Sequence, residues 1–254
     1  MNTAERLVAI AEKSQAELNA VRGMNEELEG VLNGTGAGGV NQYDAGLLAF
    51  LNMLSNNNSR KNYYGAFASS NLDGYTFPYT IKPGDIGRMF YVYVGKKMPK
   101  NIDFSQATES TGGYYQTFCW ADILEEIYFD APAPTGQYNM TFSYCRKVKK
   151  VDRINVLEQT TFSQAFLQCY ELEEITIGGV IGQTVTFADC PLNKESIENI
   201  IGALSESASG KTLTLKLTAV QKAFETSEGA NDGNTSGQWL ALAATKSNWT
   251  ITLA

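Results

Sequence analysis

Histidine is missing from all 254 residues. That removes the usual general base and every Ser-His or Cys-His nucleophile pair. Only carboxylate chemistry would remain, such as glycoside hydrolysis by two acids, and the acidic residues fit structural positions, so no enzyme is expected. Cysteine is scarce. The four are Cys119, Cys145, Cys169 and Cys190, and no two form a C-x2-C pair. Without histidine or paired cysteines a zinc site is not expected, and no metal, cofactor or catalytic residue is assigned. Long apolar runs are also lacking. None approaches the roughly 18 residues of a membrane-spanning helix, so no membrane insertion is expected. Cations are the minority charge, 20 Lys and Arg against 27 Asp and Glu, for a net −7. Nucleic-acid binding wants a basic footprint, so it is not expected either. The N-terminus has no charged start followed by an apolar core, which argues against a secretory signal.

What the chain does have is a repeat. A Phe is followed by two residues, a small residue, two residues, an aliphatic, two residues, and Ile or Val. It reads Phe118-x2-Ala121-x2-Leu124-x2-Ile127, then Phe142-x2-Cys145-x2-Val148-x2-Val151, then Phe166-x2-Cys169-x2-Leu172-x2-Ile175. The step is 24 residues both times. A clipped copy follows at Phe187-x2-Cys190-x-Leu192. Thr117, Thr141 and Thr186 precede the Phe in three copies, and Tyr114, Tyr138 and Phe162 stand four residues before it in three. A period between about 20 and 29 with such a core is the signature of a leucine-rich-repeat solenoid. Solenoids stack units to display a broad surface. The pattern predicts parallel strands at Ile127–Phe129, Val151–Ile154 and Ile175–Ile177, and one buried column of Phe118, Phe142 and Phe166. The cysteines at the repeat's small position read as buried free thiols.

Charges support the register independently. Glu125-Glu126, Lys149-Lys150 and Glu173-Glu174 recur at one repeat position with alternating sign. Stacked, they face each other across a ladder, where opposite charges attract and like charges repel. The basic run Arg146, Lys147, Lys149, Lys150, Arg153 therefore reads as solvated ladder and loop positions, with a partner-binding patch as the alternative.

Before the repeats, residues 2–32 read as one helix with a heptad seam that includes Leu7, Ala11, Leu18, Val21, Asn25, Leu28 and Leu32. A lone helix with so narrow a seam is marginal in water. It asks for partner helices, either copies of itself or a groove on another protein, and Asn25 is a register device. A surface helix lying on its own domain is the alternative. The Gly-rich stretch 34–42 happens to satisfy G-x-G-x-x-G, but no βαβ unit surrounds it, so it reads as a linker. Asp44–Leu54 reads as a short helix. An aromatic-rich stretch from Tyr63 to Tyr93 reads as degenerate first repeats and an N-terminal cap. Beyond the repeats, Asn193 looks like a helix N-cap before Ile197, Ile200, Ile201 and Leu204. Leu213, Leu215 and Leu217 alternate as a strand, helices follow around Val220–Phe224 and Trp239–Ala244, the loop Gly229–Gly237 divides them, and Trp249, Ile251 and Leu253 form a last strand. The fold class is α+β: a long coiled-coil-type helix (1–33), the linker (34–42), a leucine-rich-repeat solenoid with parallel strands (43–205), and an αβ C-terminal cap (206–254).

The units Thr141-Phe142-x2-Cys145 and Ala165-Phe166-x2-Cys169-x2-Leu172-x2-Ile175 resemble BspA-like leucine-rich repeats. Tyr43-Asp44-Ala45, Tyr63-Tyr64-Gly65-Ala66-Phe67-Ala68, Ile102-Asp103-Phe104-Ser105, Pro191-Leu192-x3-Ser196-Ile197, the opening Asn2-Thr3-Ala4-Glu5-Arg6-Leu7 and the closing Lys246-x2-Trp249-Thr250 resemble proteins encoded in phages and prophages of Gram-positive anaerobes. The resemblance implies a virion structural protein of tail, baseplate or fibre, located in the virion. It also implies partners among other virion proteins, while the heptad seam asks for copies of the chain itself, with a homotrimer as first guess. A head fibre or capsid decoration, and a cellular surface adhesin with the same repeats, are the alternatives. Tyr114, Tyr115, Trp120 and Tyr128 are candidates for a surface that binds host cell-surface glycan or protein, with core or cap packing as their other reading.

Overall fold

The computed structural model describes residues 64–73, 75–109, 113–225 and 237–254, all within one compact unit. The expected N-terminal helix with its seam Leu7, Ala11, Leu18, Val21, Asn25, Leu28 and Leu32 lies outside the described residues. So do the Gly-rich linker, the helix Asp44–Leu54 and, except for Gly237, the loop Gly229–Gly237.

The described chain is a parallel β-solenoid with few helices. In order it runs β1 (Thr76–Ile81), β2 (Lys100–Ile102), a 3-10 turn at Phe104–Gln106, β3 (Glu126–Ile127), β4 (Lys150–Val156), β5 (Glu174–Gly179), β6 (Val185–Phe187), α1 (Lys194–Ala203), β7 (Lys211–Leu215), α2 (Leu217–Phe224), α3 (Gly237–Ala244) and β8 (Trp249–Leu253). Every pairing between these strands is parallel. They make three short sheets in the orders β1-β2, β3-β4-β5 and β6-β7-β8.

Phenylalanine builds the core. Phe118, Phe142 and Phe166 stack in register, with centroids 5.8 and 5.5 Å apart. The column extends beyond the readable repeats, through Phe90 and Phe67 at one end and Phe187 at the other. All six rings are buried. Burial of each contributes roughly 1.5–3 kcal/mol. Three residues after Phe, the small side chain meets the backbone of the turn before. The Cys145 thiol donates to the Phe118 carbonyl (3.0 Å) and the Cys169 thiol to that of Phe142 (3.1 Å). All four cysteines are free and buried.

The turns around each Phe have a backbone of their own. The residues two before and two after it are left-handed: Gly65 and Ser69, Arg88 and Val92, Gln116 and Trp120, Met140 and Tyr144, Gln164 and Gln168. Glycine accepts this conformation freely. The other side chains pay roughly 1–2 kcal/mol each for it. Hydrogen bonds between successive turns offset that cost. Gln116, Phe118 and Trp120 donate their N–H groups to the carbonyls of Asn139, Thr141 and Ser143, at 3.0, 2.8 and 2.9 Å, and the turns of Phe67, Phe90 and Phe142 repeat the pattern, while in the Phe166 turn the Gln168 N–H donates to the Asp189 carboxylate.

The strands follow the expected register. Glu126 faces Lys150, which faces Glu174, and the buried Ile127, Val151 and Ile175 face each other one residue on. Lys150 Nζ lies 3.2 Å from the Glu174 carboxylate. β3 ends at Ile127, so Phe129 falls outside the strand expected to contain it. Its ring instead packs edge-on against Phe104, Tyr114, Phe118 and Phe142.

The outer edge of β5 is closed by α1. Asn193 caps that helix by accepting from the Ser196 N–H at 2.9 Å, and Glu195 in its first turn suits the helix dipole. Ile197, Ile200 and Ile201 are buried. Ser196 and Asn199 accept the Ile175 and Ile177 N–H groups at 3.0 and 2.7 Å, so side chains satisfy an edge that would otherwise invite pairing. β6 pairs with β7, so the ladder passes residue 205 into the C-terminal αβ segment without a break. Leu217 opens α2 and does not extend β7, because the chain turns at Lys216. Lys246 and Trp249 pin this end, donating to the Leu204 carbonyl (2.7 Å) and the Ser205 carbonyl (2.8 Å).

Candidate functional site

The left-handed position after each Phe turns its side chain into a surface row: Val92, Trp120, Tyr144, Gln168. The 24-residue step that stacks the central phenylalanines also spaces Trp120, Tyr144 and Gln168. The Trp120 and Tyr144 rings lie flat on each other, 4.0 Å between centroids and 3° between planes. The Arg146 guanidinium is 5.3 Å from the Trp120 centroid and 5.8 Å from that of Tyr144. With the rings 4.0 Å apart, near-equal distances place the cation beside the stack and not on its free face. Arg146 is fixed there by the Asp122 carboxylate at 3.3 Å and by donation to Gln168 Oε1.

The free face of Trp120 borders a depression of about 380 Å³, whose other walls include Tyr91, Val94, Asp122 and Ile123. Tyr91 connects it to a second cation. The Arg88 guanidinium lies 5.3 Å from the Tyr91 ring and 5.1 Å from that of Tyr115. It also donates to Gln116 Oε1 (2.8 Å) and to the Tyr115 hydroxyl (3.3 Å). The result is a continuous strip of Tyr115, Arg88, Tyr91, Trp120, Tyr144 and Arg146. Flat apolar rings alternate with fixed hydrogen-bonding groups. Such a strip can stack planar or CH-rich ligands and bond to their polar rims.

Of the four aromatic residues proposed from the sequence, two belong to this strip. Trp120 is exposed and Tyr115 half-buried. Tyr114 is a correction. It is 1% exposed, its ring packs on Phe129 and Tyr138, and its hydroxyl donates to the Pro132 carbonyl at 2.7 Å. Burial raises its pKa well beyond the usual tyrosine range. It is a core residue because it holds the same repeat position as the buried Tyr138 and Phe162. Tyr128 is 55% exposed but stands apart. It lines a separate cavity between β2 and β3, and its hydroxyl donates to Glu126. Tyr144, Arg88 and Tyr91 were not foreseen. Tyr144 follows Trp120 by one repeat step, but nothing in the sequence marks the left-handed backbone that brings the two rings together.

Among the described residues, no group of three or more Cys, Asp or Glu is placed to hold a metal ion, and no helix is long and apolar enough to cross a membrane. Searches find no family model, no curated protein and no solved structure that matches the chain.

Proposed function

We propose that this chain is a bacteriophage virion structural protein, a component of the tail, baseplate or fibre, with no enzymatic activity. Its solenoid, of BspA-like leucine-rich repeats, faces outward and contacts glycan on the host surface. Its N-terminal helix assembles copies of the chain or docks it in the particle. The observation that carries the binding reading is the Trp120–Tyr144 stack. A flat indole left half in water, with its free face over a depression and a carboxylate and guanidinium at its rim, suits the apolar face and hydroxyl edge of a sugar ring. The virion reading rests on the sequence resemblance and on the heptad pattern of residues 2–32.

Two measurements test it. Mass spectrometry of purified virions should find the chain. Glycan-array and whole-cell binding should drop at least about tenfold for Trp120→Ala, with melting unchanged. Unchanged binding would remove the strip as the contact surface. Absence from particles would remove the virion assignment.

A further inference from the structure

The strand ladder breaks between β2 and β3, which do not pair although both lie among the repeats. The cause is local. Asn101, in the middle of β2, is left-handed (φ 65) and donates its Nδ2 to the Phe77 carbonyl at 2.5 Å. The β1–β2 register slips across it: four residues of β1 but one of β2 lie between the pairs Thr76–Lys100 and Ile81–Ile102. Glu125 still donates its N–H to the Lys96 carbonyl at 2.9 Å. Where a further rung would stand, the Tyr128 N–H meets the Met98 sulfur at 3.3 Å. A thioether is a weak acceptor on a flexible side chain. It stands in for a carbonyl.

A cavity of about 460 Å³ opens there, over Met98, Ile102 and Phe104. Its walls carry opposite charge: Lys96, Lys97 and Lys100 on the β2 side, Glu125 and Glu126 on the β3 side. On the closed ladder, Lys150 lies 3.2 Å from Glu174, and Arg146, Lys147 and Arg153 also have carboxylate partners. Among the described residues, none of the three slot lysines pairs its ammonium group with a carboxylate, although the Lys97 backbone N–H donates to the Asp73 carboxylate at 2.7 Å.

We propose that this slot binds a short extended peptide bearing charges of both signs. The peptide lies between β2 and β3, with carboxylate on the lysine wall and ammonium on the glutamate wall. One of its carbonyls replaces the Met98 sulfur at the Tyr128 N–H, which is strand addition with side-chain selection. The slot shares no residue with the Trp120 depression, and the proposal does not depend on the glycan reading.

The test titrates the full chain with fluorescein-labelled Lys-Val-Thr-Val-Glu and with two analogues in which both charged ends are Glu or both are Lys. The mixed peptide should bind about tenfold tighter than either analogue. Lys97→Glu combined with Lys100→Glu should weaken it about tenfold, Trp120→Ala should leave it unchanged, and Met98→Leu should retain it. The Tyr128 backbone amide resonance should shift on binding. No binding, equal binding of the three peptides, preference for a single-sign peptide, a charge-reversed variant that binds as well, or a static Tyr128 amide would each overturn the proposal.

Discussion

Phe118 and Phe142 stand ring over ring, with centroids 5.8 Å apart and planes 7° apart, although 24 residues separate them. Phe166 repeats the relationship on the other side of Phe142, at 5.5 Å and 8°. Phe142 is therefore held on both faces in the middle of the column.

Phe142→Ala should cost about 3–5 kcal/mol, because both neighbouring turns keep their backbone bonds and cannot collapse into the hole. Urea unfolding measures it. A loss below about 1 kcal/mol would mean that the column does not carry the stability.

Two threonines just before Phe make a sharper comparison. The Thr141 hydroxyl donates to the Tyr114 carbonyl. The equally buried Thr117 hydroxyl has no hydrogen-bond partner. An unmet buried hydroxyl costs about 1–3 kcal/mol. Thr117→Val should therefore be neutral or stabilising by up to about 1 kcal/mol, and Thr141→Val should destabilise by about 1 kcal/mol. Equal effects at the two positions would contradict the assignment.

These positions also show what the sequence reveals and what it hides. The central turns were legible because their spacing is constant and their charges alternate in the same register. Phe67 and Phe90 were not assigned to the column, since their steps are 23 and 28 residues and Tyr93 replaces the small residue after Phe90. The left-handed residues were invisible. Arg88, Gln116, Met140 and Tyr144 carry no turn signal, and only bonds between turns hold them there. The surface strip was half legible for the same reason. Trp120 stood out by type, but its stack with Tyr144 depends on a backbone conformation that neither residue prefers.

Lys150 stands between Glu126 and Glu174. Lys150→Glu would put three carboxylates in one column. The side chains are 40% and 53% exposed at Lys150 and Glu174, so water and salt limit the effect to about 1 kcal/mol. Thermal melts in low and high salt check it. The deficit should shrink as salt rises, because screening weakens repulsion between exposed charges.

The buried thiols predict how stability depends on pH. Burial pushes Cys119 up to about 11 and raises Cys145 and Cys190 well above the ordinary thiol value. An unfolded thiol ionises near 8.5. Above that pH the unfolded chain releases protons that the native chain keeps, so the native state holds more protons and stability falls as pH rises. The contribution is complete below about 8.5 and is lost progressively until the native thiol itself ionises, near 11 for Cys119. Each thiol should remove up to about 1.4 kcal/mol per pH unit in that window. Urea melts at pH 8, 9 and 10 measure the slope. Cys145→Ala is the control, since Ala121 holds the same repeat position. It should flatten the slope even though it lowers stability at pH 8. A slope that the substitution leaves unchanged would assign the loss to lysine or tyrosine titration, and would show that the thiol column is not the source.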